Sequence, residues 1–163
     1  MQILSPEMVT LLNAEITREQ TAHLHYRSGA LWADDAGYFG VSHWCDRQAL
    51  DELDHRNKLQ KYLVKLGAKP ITPTGDAPAA AWADLPGFFE ATMGLEQVVT
   101  RAIIEINAVA IATGDGLTQQ RMKFYLAEQT LSIGEIADIQ KLFARFGVQG
   151  TALERIDHRI GKL

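Results

Sequence analysis

The sequence predicts an all-α fold: a four-helix bundle with a long crossover between its second and third helices and a short fifth helix at the C-terminus. Three observations carry that reading. Four segments of about 25 to 30 residues place apolar side chains at helical period. Strand alternation appears nowhere, and every proline except Pro6 falls in one stretch between the second and third segments. At 1.5 Å per residue such helices are roughly 40 Å long, a length that suits a bundle better than most globular packings.

The elements follow in order from their start and stop signals. Ser5-Pro6-Glu7 reads as a helix start, with Ser5 as N-cap and Pro6 at the first helical position, and the period runs to Ala33. The segment DDAGYFG, 34–40, breaks it. A second helix runs from Val41 to Leu66 and stops at Gly67. The connection AKPITPTGDAPAAAWADLPG, 68–87, then carries the chain from one end of the bundle to the other. A third helix runs from Phe88 to Ala112 and ends at TGDG; a fourth runs from Leu117 to Phe146 and ends at Gly147; TALERIDHRI, 151–160, is the fifth.

Composition narrows the class of function. A chain of 163 residues that is 47% hydrophobic and 22% charged fits one domain spanning 1–163. A net charge of -4 offers no basic field, so no nucleic-acid partner is expected. No signal-peptide pattern opens the chain and no run of apolar residues reaches membrane-spanning length, so a protein of the cytoplasm with no membrane partner is expected. Cys45 is the single cysteine, which rules out thiolate metal clusters and leaves carboxylate and imidazole as metal ligands.

Polar residues interrupt the apolar stripes of all four long helices. At 100° per residue, positions 7 or 11 apart share a direction and positions 3 or 4 apart lie close to it. Glu19 falls among Met8, Leu12, Tyr26 and Ala30. Glu52 shares its stripe with Cys45, Leu59 and Leu63, and His55 lies at the flank in line with Leu59. Glu96 is flanked by Phe89, Val99, Ile103 and Ala110; Gln129 sits with Met122, Leu126, Ile133 and Ile136. An unpaired buried carboxylate costs several kcal/mol. Arg18, Arg56, Arg101 and Lys123 all point away from these stripes, so a pair of metal ions with oxygen and imidazole ligands is the cation that fits. The spacing Glu52-x-x-His55 lets both side chains reach one metal site from one face. The corresponding places on the fourth helix hold Gln129 and Ser132, so the site is asymmetric.

With these residues in place the chain resembles a non-haem ferritin over most of its length, with a ferroxidase site of the animal heavy-chain type. LNAEITREQTAHLHY is similar to the first-helix segment of that family, DELDH to the second, LEQVVTRAIIEIN to the third and YLAEQTLSIGEI to the fourth. The resemblance implies a di-iron ferroxidase centre in which Glu19, Glu52 and His55 hold one Fe(II). Glu52 and Glu96 hold the other, and Gln129 places water or dioxygen. It implies iron storage as ferric mineral in a shell of twenty-four subunits, with dioxygen or hydrogen peroxide as oxidant. Leu153, Ile156 and Ile160 of the fifth helix would need partners to cover them. A di-iron oxidase or peroxidase of the same superfamily that stores nothing is the alternative.

Departures from the family pattern refine these expectations. Leu131 and Ser132 stand where many bacterial relatives place acids for a third iron. Leu53 stands where bacterioferritins bind haem through a methionine, so no haem is expected. Gln119, Arg121 and Met122 replace the acids of the animal three-fold channel. Tyr26 is either a hydrogen-bond or electron donor to the centre or a core tyrosine. His23 is a core or supporting histidine. Asp51 and Asp54 either face the mineral cavity or are solvated surface acids, and His43 with Asp46 reads as surface.

Overall fold

The computed structural model describes residues 3–163; Met1 and Gln2, which open the stretch read for a targeting signal, lie outside it. Five helices form: α1 (Pro6–Asp35), α2 (Phe39–Lys65), α3 (Leu85–Thr113), α4 (Gly116–Phe146) and α5 (Gly150–Ile160), with no strand among the described residues. Among the described residues no helix is long and apolar enough to cross a membrane.

Helix starts are set by short polar side chains that satisfy orphan backbone N–H groups. Ser5 Oγ accepts from Met8 N at 3.1 Å, Asp84 Oδ1 from Gly87 N at 2.8 Å and Asp115 Oδ1 from Thr118 N at 3.0 Å. Two helix starts move by two or more residues from where the sequence places them. α3 begins at Leu85 because Pro86 is tolerated in a first helical turn, so Pro86 and Gly87 belong to the helix and not to the connection. α2 begins at Phe39 because Gly37, at φ 82°, makes the turn alone.

α1 and α2 form one antiparallel hairpin and α3 and α4 another. The connection between them tracks α1. Asn13 holds Lys69 O at 3.2 Å and Ile71 N at 2.9 Å; Gly75 lies against Leu24, Ser28 Oγ donates to Ala79 O, and Trp82 packs on Trp32. From Asn13 to Trp32 that is about 28 Å of helix at 1.5 Å per residue. The third helix therefore starts at the opposite end from where the second stopped, which is the predicted crossover.

The bundle interior is two apolar plugs with a polar layer between them. One plug packs Tyr26, Trp44, Phe88, Phe89 and Ile136; the other packs Leu12, Ile16, Leu59, Ile103 and Met122. Glu15, Glu19, Glu52, His55, Glu96 and Gln129 are all buried and belong to neither plug. Two stripe assignments shift. On α4, Leu126 and Ile133 are only half-buried, and Tyr125 and Ile139 fill the core in their place. On α5, Ile156 and Ile160 are buried in the first plug and Leu153 is half-buried against it, so this chain's own bundle covers the face expected to need partners.

Candidate metal centre

Each wall of the polar layer comes from one helix. On α1 and α2, Glu19 and Glu52 are 1% and 2% exposed, and His55 follows Glu52 by three residues on the same face. His55 Nδ1 lies 3.4 Å from Glu52 Oε2 and 3.8 Å from Glu19 Oε2. One ligand atom from each of these three residues lies within 4.8 Å of the other two, so a single cation fits among them. Glu96 stands outside this tight triad. Tyr26 donates its hydroxyl to Glu96 Oε1 at 2.5 Å, and Gln129 Nε2 donates to Glu96 Oε2 at 2.9 Å. Those two bonds hold both oxygens of its carboxylate, and among neighbouring charges that of Glu52 acts on it most.

The electrostatics report an anionic centre short of positive charge. Burial, then the charge of Glu52 and a hydrogen bond with it, raise the Glu19 pKa well above the carboxylate range. Burial and the charge of Glu52 push Glu96 up to about 7 against the opposing bonds from Tyr26 and Gln129. For His55, burial opposes protonation, but the bond to Glu52 and the charges of Glu52 and Glu128 outweigh it and raise the pKa. Glu19 Oε2 is buried with no hydrogen-bond partner, which native structures avoid. Hard oxygen donors with one imidazole are the ligand set of iron or manganese, and a divalent cation would satisfy the orphan oxygen.

All six residues singled out from the sequence, Glu19, Tyr26, Glu52, His55, Glu96 and Gln129, meet in this layer or at its edge. Asp51 and Asp54 are exposed, and Asp54 pairs with Lys58 at 2.7 Å. His23 Nδ1 lies 2.7 Å from the Ala49 carbonyl and ties α1 to α2. His43 is exposed and Asp46 pairs with Arg27. Met122 is fully buried and cannot line a surface channel, whereas Arg121 lies 5.2 Å over the Tyr62 ring.

Three contributors escaped the sequence reading. Glu15 is 0% exposed one turn before Glu19, so α1 carries two buried acids where one was expected. Arg18 swings back to hold Glu15 Oε2 at 3.1 Å, leaving Glu15 Oε1 buried and unpaired, and burial raises the Glu15 pKa to about 7. Its spacing of four from Glu19 and seven from Met8 was the available signal. Tyr125 donates to His55 O at 2.9 Å and packs edge-on to the imidazole with centroids 5.5 Å apart. Glu128 reaches within 3.9 Å of His55 Nε2. Glu128 adjoins Gln129 in sequence and Tyr125 lies one turn before it, but whether they turn inward depends on how α4 rotates in the bundle.

A crossover four-helix bundle with a carboxylate and imidazole layer at mid-height defines the class of protein, and comparison with known proteins agrees. The ferritin-like domain model matches residues 9–146, and the chain belongs to that family. Among curated relatives, a bacterial non-heme ferritin of Escherichia coli is 27% identical over 161 residues, covering 99% of this chain and 98% of its own. One of Bacteroides fragilis is 22% identical over 160 residues, covering 98% and 99%. A crystal structure of an open pore ferritin from the hyperthermophilic archaeon Archaeoglobus fulgidus superposes with a TM-score of 0.93 at 27% identity, covering 97% of this chain and 98% of that one.

Proposed function

We propose that this chain stores iron and oxidises Fe(II) to Fe(III) at a di-iron ferroxidase centre inside each bundle. Glu19, Glu52 and His55 take one Fe(II), and Glu96 takes the second with Glu52 shared between the two. The observation that carries the reading is the buried triad of Glu19, Glu52 and His55 with the unpartnered Glu19 Oε2 at its centre. The family match, with relatives named as non-heme ferritins, supports the same reading. Carboxylates favour Fe(III) over Fe(II), so the site promotes loss of one electron from each ion to dioxygen. Gln129 and Tyr26 act on the site through Glu96, orienting its carboxylate toward the second ion. Tyr125 holds the His55 ring from behind. Binding of Fe(II) displaces the protons that Glu19 and Glu96 hold in the metal-free layer, and after oxidation the ferric product passes to the interior of a shell of twenty-four subunits as mineral.

Anaerobic Fe(II) titration tests the centre before any oxidation. The wild type takes up two Fe(II) per chain, and Glu52→Ala loses both sites because the shared ligand is gone. Two tight sites surviving in Glu52→Ala would exclude the shared-ligand arrangement.

A further inference from the structure

Trp44, on α2, packs against Tyr26 within the first apolar plug. The two rings meet edge-on, with centroids 5.6 Å apart and planes at 76°, in the range of aromatic contact. Each ring carries one exchangeable proton, and each proton rests on a carboxylate. The Tyr26 hydroxyl donates to Glu96 Oε1 at 2.5 Å, and the Trp44 indole N–H donates to Glu135 Oε1 on α4. Tyr26 and Trp44 are 0% and 1% exposed, whereas Glu135 is half-buried and in touch with solvent. One line of contacts therefore runs from Glu96 through Tyr26 and Trp44 to a carboxylate at the surface.

Phenol and indole are the side chains that most readily give up one electron. Losing it makes the phenol O–H a strong acid and the indole N–H about as acidic as a carboxylic acid. In a core this dry a lone cation is costly, so oxidation is feasible only where a base already holds that proton. Both rings meet this condition. The geometry points to Trp44 as an electron relay for dioxygen reduction, with Glu135 as its proton acceptor, an assignment that rests on the ferroxidase reading above. Complete reduction of dioxygen to two waters takes four electrons and four protons. Two Fe(II) ions give one electron each, and Tyr26 and Trp44 give one each. Tyr26 passes its proton to Glu96 and Trp44 to Glu135. Two further Fe(II) ions then return one electron to each ring, the two carboxylates return the protons, and solvent supplies the four protons consumed. The sum is four Fe(II) oxidised per dioxygen, with no peroxide released.

Trp44→Phe keeps an aromatic ring in the packing but removes the oxidisable indole. Glu135→Gln keeps an acceptor for the indole N–H but is too weak a base to take the proton. Aerobic addition of Fe(II) is followed by the ratio of iron oxidised to oxygen consumed, by peroxide release, and by electron paramagnetic resonance of rapidly frozen samples. The wild type approaches four Fe(II) per dioxygen. Trp44→Phe stops at two electrons per dioxygen, both from iron, so it uses about twice as much oxygen per iron, releases peroxide and shows no aromatic radical. Glu135→Gln shifts all three readouts in the same direction and serves alone if Trp44→Phe does not fold. If the wild type oxidises iron and both variants keep its ratio, peroxide yield and radical signal, the relay alone is overturned. A wild type that oxidises no Fe(II) overturns the ferroxidase reading and the relay with it.

Discussion

At the scale of single residues, the centre is a set of acids whose charge is unbalanced until a cation arrives. Glu15 and Glu96 have pKa values raised to about 7 by burial, from an ordinary value of 4.5. Between those values the folded chain binds more protons than the unfolded one, so stability falls as pH rises from about 4.5 to about 7. Thermal melts of metal-free protein therefore show a lower midpoint near pH 8 than near pH 5. A redox-inert divalent cation such as Zn(II) competes with the proton on Glu96 and so has the opposite dependence, protecting more near pH 8. Equal protection at both pH values would contradict this account of the layer. Glu15→Gln keeps the Arg18 bond and removes a buried charge, so it stabilises the metal-free protein near pH 8 by roughly 1–3 kcal/mol. Denaturant unfolding at that pH measures it. Glu19, Glu52 and Glu96 were legible in the sequence because each breaks an otherwise apolar stripe. Glu15 obeys the same periodicity, yet its partner Arg18 reaches it only by bending back across one turn, which no pattern of residue types displays.

At the scale of elements, the least expected contact joins α5 to the start of α2. α2 has no side-chain cap of its own; Asp157 of α5 supplies one, accepting from Gly40 N at 3.0 Å and Val41 N at 2.8 Å. The helices approach so closely that a Cβ on Gly40 would lie 1.9 Å from Asp157 O, and one on Gly161 would lie 2.9 Å from Gly40 Cα. Gly40 read in the sequence as part of a helix break, whereas its role is to admit a second backbone. Asp157→Ala removes the cap and costs about 1 kcal/mol. Gly40→Ala meets backbone and not a flexible side chain, so it costs more, about 1–3 kcal/mol, and undocks α5. Limited proteolysis reads that undocking as faster cleavage between Phe146 and Ile160 in Gly40→Ala than in wild type. Helix existence and order were legible because each long helix carries a stripe and a cap. The α3 start was placed three residues late because Pro86 reads as a breaker unless its position in the first turn is known. The α4 face was off by part of a turn because Leu126 and Tyr125 are both apolar enough to fill a core, and packing against α2 and α3 decides between them.

At the scale of the whole molecule, two apolar plugs hold a polar layer away from bulk water, and the crossover along α1 makes that arrangement possible. It sets α3 antiparallel to α1, so Glu96 arrives opposite Tyr26, and Thr92 opposite His25, where the bond is 2.9 Å. An uninterrupted apolar core would be more stable. The layer marks where the sequence departs from the pattern that stabilises the fold, and such departures are expected at functional sites. Assembly belongs to this scale as well. A chain of 18.1 kDa that forms a storage shell elutes from size exclusion as one large species, and a monomer or dimer alone would count against storage. The central claim is that the layer oxidises iron, and aerobic addition of Fe(II) to wild type and to Glu52→Ala, followed by oxygen uptake and Fe(III) absorbance, tests it most directly. The account predicts rapid oxidation by the wild type and an initial rate lower by at least about 10- to 100-fold in Glu52→Ala, the loss that even outer partners of metal ligands cause when removed. Equal rates in the two proteins would contradict it.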